Sequence, residues 1–433
     1  MVRTGRKRKV KSPSYRIIPP LVEPLVIPRA DHSISRDQID PDALKVLYRL
    51  RKFNHVAYLV GGSVRDLLLN RKPKDFDVGT SAHPHEVKRL FRNSWIIGRR
   101  FRLVHVKFGQ KTIEVATFRR QVPTENQTKK TNEPSERRPI SRDNTFGTSE
   151  EDAFRRDFTI NGLFYDIATF SVIDYVGGLA DLRNGLIRSI GDPNDRFLED
   201  PVRMLRAVSF AARLDFRLEP LVRRAIRQHR GEIANASPAR MIEELYKILR
   251  SGVSAQTYRS LLKTGLLTYI APEIEQAASP NLWKSLKALD SYRTRFTNIP
   301  QNLTNAVLLG SLVTPIHPID LSPHRTRDKK EKGPRISLGQ LPIARRDVER
   351  LRQLLTLQTR LINPQLPPRA QQAILHRGAF QDAMTWLEIH SKDSDALNRW
   401  QTLIANSTPR QSRHNQRRKP RWRGKRKSRP VRS

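Results

Sequence analysis

Residues 59–80, LVGGSVRDLLLNRKPKDFDVGT, constrain the fold of this chain more than any other stretch. A short apolar run at 57–60 stops at Gly61-Gly62, and 64–69 then takes up helical spacing, which predicts a strand turning sharply into a helix. Such a turn exposes backbone N–H groups at a positive helix end, and the missing side chains let a phosphate approach. Arg65, three residues past Gly62, can add a fixed positive charge to the same anion. Asp75 and Asp77 follow, interleaved with Phe76 and Val78. On a strand, residues two apart share a face, so the two carboxylates point one way and the two apolar groups the other. Carboxylates that close repel unless a cation lies between them, and hard oxygen donors select Mg²⁺ or a similar ion. Glu114, a lone acid in the β-prone run 113–117, is a third donor. Converging on a sheet edge, Asp75, Asp77 and Glu114 would form a two-metal site for moving a phosphoryl group.

Each feature alone has a plainer reading. The two aspartates could be surface acids paired with Lys72 and Lys74, and Gly-Gly could be a bare turn. Gly-Gly, Arg and Asp-x-Asp within 17 residues read instead as a triphosphate cradle beside a metal site. The chain shows no G-x-G-x-x-G or Walker pattern, which sets aside the common dinucleotide and phosphate-loop folds.

The surrounding periodicities alternate. Residues 41–53 are helical through Leu44, Leu47 and Leu50; 76–78 is extended; 83–91 is helix-like; 95–97, 103–108 and 112–118 are extended. This predicts an α/β head, a small mixed sheet with helices on one side. After residue 185 the signal is helical nearly throughout, as at 202–214, 239–249, 258–262, 344–361 and 382–389, which predicts an all-α neck and body. The expected divisions are a basic extension at 1–35, the head at 36–192, a neck at 193–265, a body at 266–408 and an Arg/Lys-rich tail at 409–433. Segments 121–148 and 322–336 are polar, Pro-containing and aperiodic, as loops or linkers are.

Charge narrows the partners. With 81 Lys+Arg against 42 Asp+Glu the formal charge is +39, and a compact state so charged repels itself unless a polyanion shares its surface. The segments 1–12 and 409–433 are dense in Arg and Lys without acids, as electrostatic arms are, and Trp422 between Arg421 and Arg423 could stack on a base. With no cysteine in the chain, disulfides and thiolate metal sites are excluded. The most apolar early stretch, 17–28, is broken by Pro19, Pro20, Glu23, Pro24 and Pro28, so neither a membrane span nor a signal-peptide core is expected and a cytoplasmic setting is.

The segment at 59–80 resembles the head motif of class II nucleotidyltransferases of the polymerase β superfamily, the group of tRNA CCA-adding enzymes and bacterial poly(A) polymerases. IEVATFR (113–119), RRDFTINGL (155–163), DYVGGLADL (174–182) and FLEDPVRMLRAVSFAARL (197–214) are similar to further motifs of the group, so the resemblance covers about residues 40–250. IGRRFRLVHV (97–106) resembles the segment that marks bacterial poly(A) polymerases within it. The resemblance implies a template-independent enzyme that adds AMP from ATP to RNA 3′ ends with two Mg²⁺ ions, releasing pyrophosphate, in mRNA polyadenylation and RNA turnover. The alternatives are a CCA-adding enzyme and, in another class, a basic RNA-binding protein with a dead head. Asp75 and Asp77 would be the metal-binding catalytic pair, Asp157 a further catalytic acid near the ribose, and Arg119, Arg156 and Asn161 would face the nucleotide. Asp200 and Arg203 match the element that presents a base-like edge to the incoming nucleotide. Asp200-Pro201 also reads as an N-cap and first helical residue, placing Arg203, Arg206, Phe210 and Arg213 on one helix face toward ATP or RNA. His83 and His85 flank Pro84 as capping or surface groups, and His105, between Val104 and Val106, reads as a structural histidine.

Overall fold

The computed structural model describes residues 23–98, 102–120, 145–316, 338–391 and 393–406. The segments 1–12 and 409–433, Trp422, the linker 322–336, residues 99–101 and most of 121–148 lie outside those residues. Two compact units divide the chain between Gln353 and Leu354.

The first unit is built on β1 (Leu25–Ile27), β2 (Ala57–Val60), β3 (Asp77–Thr80), β4 (Ser94–Ile97), β5 (Leu103–Phe108), β6 (Lys111–Thr117), β7 (Leu163–Asp166) and β8 (Ser171–Asp174). They form one sheet in the order β1-β8-β7-β2-β3-β6-β5-β4. Only β3 and β6 run parallel, so the sheet is mixed, as expected. That pair needs a crossover. It holds α3 (Pro84–Leu90) and the hairpin β4–β5.

One face is a continuous apolar layer, with Leu59, Val78, Val115 and Val104 paired strand to strand and buried. It is covered by α1 (Pro41–Lys52), whose buried residues are Ala43, Val46, Leu47 and Leu50, and by α3. Asp40 caps α1 by accepting the Asp42 N–H at 2.8 Å, and Pro41 occupies the first turn, where its missing N–H costs nothing.

The opposite face is divided. Its β2–β7–β8 half is packed by a cluster of Val60, Phe118, Ala153, Phe164, Ile173 and Val176, with Tyr58, Phe154 and Tyr175 against it. Ala153 and Phe154 come from α4 (Ser149–Arg155), whose start is fixed by a Thr148–Glu151 capping box. On the β3–β6–β5–β4 half, Asp77, Glu114, Lys107 and Trp95, which alternate with the buried layer, are exposed, while His105 and Ala116 on the same face are partly covered.

The chain then becomes helical, through α5 (Gly178–Asn184), α6 (Pro193–Glu199), α7 (Val202–Leu214), α8 (Pro220–His229), α9 (Pro238–Leu249), α10 (Ser254–Thr264), α11 (Leu267–Ile270), α12 (Pro272–Gln276), α13 (Pro280–Thr294) and α14 (Asn305–Val313). The short strands β9 (Leu186–Ile187) and β10 (Arg217–Leu218) pair between α5 and α8. Next comes α15 (Arg345–Ile362), and the second unit adds α16 (Pro368–Leu375), α17 (Phe380–His390) and α18 (Ser394–Asn406). In that unit Trp400 is buried, its indole N–H donating to the Leu361 carbonyl at 2.9 Å beside the Phe380 ring. Among the described residues no helix is long and apolar enough to cross a membrane.

Candidate active site

The site begins where β2 ends. Gly61 turns the chain with φ +69°, a conformation that a side chain strains, and a Cβ there would stand 2.7 Å from the Arg156 guanidinium. Its N–H is taken by the Leu163 carbonyl at 3.0 Å, so the expected cradle begins at Gly62 and Ser63, in the first turn of α2 (Gly62–Leu68).

Arg65, expected to add positive charge at the glycine turn, lies there, its guanidinium 3.5 Å from where a Gly62 Cβ would stand, and is held by protein partners. Its side chain is 3% exposed and is bonded to Asp66 at 2.7 and 2.8 Å and to Asn161 Oδ1 at 2.5 Å. A second cation at the glycine turn is Arg156, held by Asp152 at 3.0 and 3.2 Å and by the Asn161 carbonyl at 3.2 Å. Asp152, a buried acid on α4, also anchors Arg155 and accepts the Arg119 N–H at 3.3 Å. Sequence reasoning missed Asp152, because an acid in the first turn of a helix reads as a solvated dipole partner. Arg119 itself is buried, with its guanidinium donating to the Arg102 carbonyl at 3.1 Å.

The acids lie on the sheet's divided face. Asp77 opens β3 and pairs in register with Glu114 on β6, which puts the two side chains next to one another. Asp75 precedes the strand rather than sharing it, and its carboxylate reaches Lys74 at 3.1 Å. Glu114 reaches His105 Nε2 at 3.4 Å, so His105 belongs to the acid row rather than to the core. Asp77 keeps surface in water, yet the protein crowding its carboxyl at the head of the strand pushes that group up to about 6, Glu114 and Asp75 adding to the effect and Arg156 opposing it. Among the described residues no three acids or histidines stand close enough to hold a metal ion as the side chains lie. The donor set is all hard oxygen, which fits Mg²⁺ chemistry. Gathering it means turning Asp75 from Lys74 and Glu114 from His105, both exposed contacts of small worth.

Behind the glycine turn a polar network joins the head to α7. Asp157 accepts from Phe158 N–H at 2.8 Å and Asn161 Nδ2 at 2.9 Å, and Arg206 grips its other oxygen at 2.7 and 2.8 Å. Burial by itself would raise the Asp157 carboxyl, but Arg206 and these bonds outweigh it and hold it below the usual carboxylate range. The Asp157 carboxylate in turn raises the Arg206 guanidinium above its ordinary value, burial opposing and Glu244 assisting. Arg65, Arg206 and Arg213 all approach the Phe210 ring, at 5.4, 5.1 and 4.9 Å from its centroid. The helix face predicted for Arg206, Phe210 and Arg213 therefore forms, with Arg65 also against the ring and Arg213 still exposed.

Asp200 and Arg203 depart from the expectation. Asp200 ends α6 instead of capping α7, and its carboxylate is held by both terminal nitrogens of Arg240 on α9, at 2.8 and 2.9 Å. Arg203 binds Glu199 at 2.8 Å and the Arg196 carbonyl at 3.1 Å. A bidentate guanidinium partner outcompetes the weaker backbone cap. Arg240 and Glu244 carried no signal, since a charged residue on an amphipathic helix reads as solvated. His83 starts α3, its N–H donating to Glu86 at 2.7 Å, as a capping group would. In DYVGGLADL, Asp174 accepts the N–H groups of Val176, Gly178 and Leu179 at 2.9 to 3.0 Å, so that motif is a structural clamp.

This arrangement has known counterparts. Residues 57–188 match the family described as "Poly A polymerase head domain", and residues 215–278 match "Probable RNA and SrmB- binding site of polymerase A". Poly(A) polymerase I of Salmonella typhi is 50% identical over 256 residues, which are 59% of this chain and 55% of that protein. The CCA-adding enzyme of Bacillus velezensis is 39% identical over 225 residues, 52% of this chain and 54% of that protein. Over residues 57–188 and 215–278 the chain is therefore similar to poly(A) polymerases and, at lower identity, to CCA-adding enzymes. It spans about half the length of the curated relatives it matches. Among solved structures, the Bacillus stearothermophilus CCA-adding enzyme in complex with CTP superposes with a TM-score of 0.57 at 25% identity, over 85% of this chain and 83% of that one. The Thermotoga maritima CCA-adding enzyme complexed with tRNA shares the fold, with a TM-score of 0.51 at 20% identity over 88% and 85% of the two chains.

Proposed function

We propose that this chain is a nucleotidyltransferase and, within that class, a poly(A) polymerase, adding AMP from ATP to RNA 3′ ends and releasing pyrophosphate. The observation that carries the reading is the identity of 50% to a poly(A) polymerase I against 39% to a CCA-adding enzyme, each over more than half of the chain. The RNA 3′-hydroxyl attacks the α-phosphorus of ATP, a bond forms to that oxygen, and the bond to the pyrophosphate oxygen breaks. Positioning and charge neutralisation supply most of the rate in such a transfer.

Asp77 and Glu114, with Asp75 swung in from Lys74, would hold two Mg²⁺ ions, which supply a more acidic 3′-hydroxyl and charge balance for the departing pyrophosphate. Gly62 and Ser63 present backbone to the triphosphate, and Arg156 lends the positive charge at that turn. Arg65, Asn161, Asp157 and Arg206 do not touch the phosphates; they fix the glycine turn against α7. Asp200 and Arg203 meet the incoming base after trading their present partners, Arg240 and Glu199. The basic segments 1–12 and 409–433 hold RNA backbone. The head, neck and body divisions at 36–192, 193–265 and 266–408 are taken as functional units, and the setting as cytoplasmic mRNA turnover.

Incubation with RNA lacking a CCA end and each nucleotide separately tests this. Long products from ATP alone are expected; addition of CTP residues followed by a single AMP would replace the reading with CCA addition. Asp77→Ala should abolish synthesis while leaving RNA affinity largely intact, whereas a catalytically dead RNA-binding protein would have no synthesis to lose.

A further inference from the structure

The face that carries Asp77 continues outward across three strands. Glu114 pairs with Asp77, His105 with Glu114, and Trp95 with His105, so the four side chains form one row on one face. Trp95 lies on β4, the last strand of the sheet, three strand spacings or about 14 Å from Asp77. Its side chain is 51% exposed, and Ile97, two residues on and on the same face, is 46% exposed. Lys107, two residues beyond His105 on the same side of β5, is exposed as well. The other faces of these strands are filled by Ser94, Val104 and Val106, all buried, so Trp95 is not needed to complete the core.

A half-bare indole beside a lysine, in line with the acids, is the pairing used on single-stranded nucleic acid, where aromatic rings take base faces and cations track phosphates. A second copy of the chain is a poor occupant for this surface, because each carries a formal charge of +39. We infer that Trp95 and Lys107 seat the terminal bases of single-stranded RNA, Trp95 by stacking and Lys107 on the backbone, with the row through His105 and Glu114 leading the 3′ end to Asp77. This rests on the function proposed above. It adds a platform on the edge strand, apart from the nucleotide-binding turn.

The test uses the full chain and a labelled single-stranded oligoadenylate, with Kd read by fluorescence anisotropy across a salt series. Trp95→Ala should weaken binding about tenfold, the loss of one base–aromatic stack, and Trp95→Phe should keep most of the affinity. Trp95→Ala should leave the slope of log affinity on log salt unchanged, whereas Lys107→Ala should reduce it by about 0.7, one phosphate contact to a single strand. The KM for RNA should rise in Trp95→Ala with the KM for ATP unchanged. Unchanged binding in Trp95→Ala overturns the inference. So does an equal loss in Trp95→Phe, which would mark a structural role, or a change confined to self-association in sedimentation. If the wild-type chain extends no RNA with any nucleotide, the proposed function falls, while the anisotropy series still decides the role of Trp95.

Discussion

Asp77 is the residue on which the site's acidity turns. Its carboxyl is pushed up to about 6 by enclosure and by Glu114, so between the ordinary carboxylate range and about pH 6 the folded chain binds a proton that the unfolded chain releases. A raised carboxyl is a burden on the folded state at higher pH, where the charge must be carried in a crowded place. Asp77→Asn should therefore raise the melting temperature at pH 8 in the absence of divalent ions, and the gain should vanish below about pH 4. An Asp77→Asn variant with the same advantage at both pH values would show that the gain has nothing to do with charge. The Mg²⁺ concentration needed for half-maximal synthesis should rise as pH drops through about 6, because a proton then competes with the hard cation for this carboxyl.

At the level of elements, the glycine turn between β2 and α2 is where local chain geometry and site chemistry meet. Gly61→Ala combines a strained positive φ with a Cβ 2.7 Å from Arg156, and should cost roughly 1 to 3 kcal/mol in denaturant unfolding while depressing synthesis. A variant of unchanged stability would mean that the turn relaxes freely. The same comparison shows what sequence can carry. Strands β5 and β6 and helices α1, α7 and α9 are legible within a residue or two because each keeps a period with one face buried, whereas β2 and β3, buried along most of their length, are marked by the Gly61-Gly62 stop and the Asp-x-Asp segment. Strands β7 and β8 are buried at every position, so no alternation marks them and neither is expected from the sequence. Side-chain partners were legible only when local. Arg65 finds Asn161 96 residues away, and Asp200 finds Arg240 40 residues away instead of capping α7, and neither partner is marked by the neighbouring residues.

For the whole molecule, charge is the dominant fact. An excess of 39 positive charges predicts RNA binding that weakens steeply with salt, and the Arg/Lys-rich segment 409–433 should carry part of it. Removing those residues should flatten the dependence of RNA affinity on salt without altering the melting temperature of the folded units; an unchanged slope would mean that the segment stays off the RNA. The divided face of the sheet matters at the same scale. Aromatic packing roofs it over β2, β7 and β8, while beyond β3 the described residues leave it bare. If the proposed activity holds, a growing product meets no roof among the described residues of those strands, so its length should follow how long the RNA stays bound and not the room available to it.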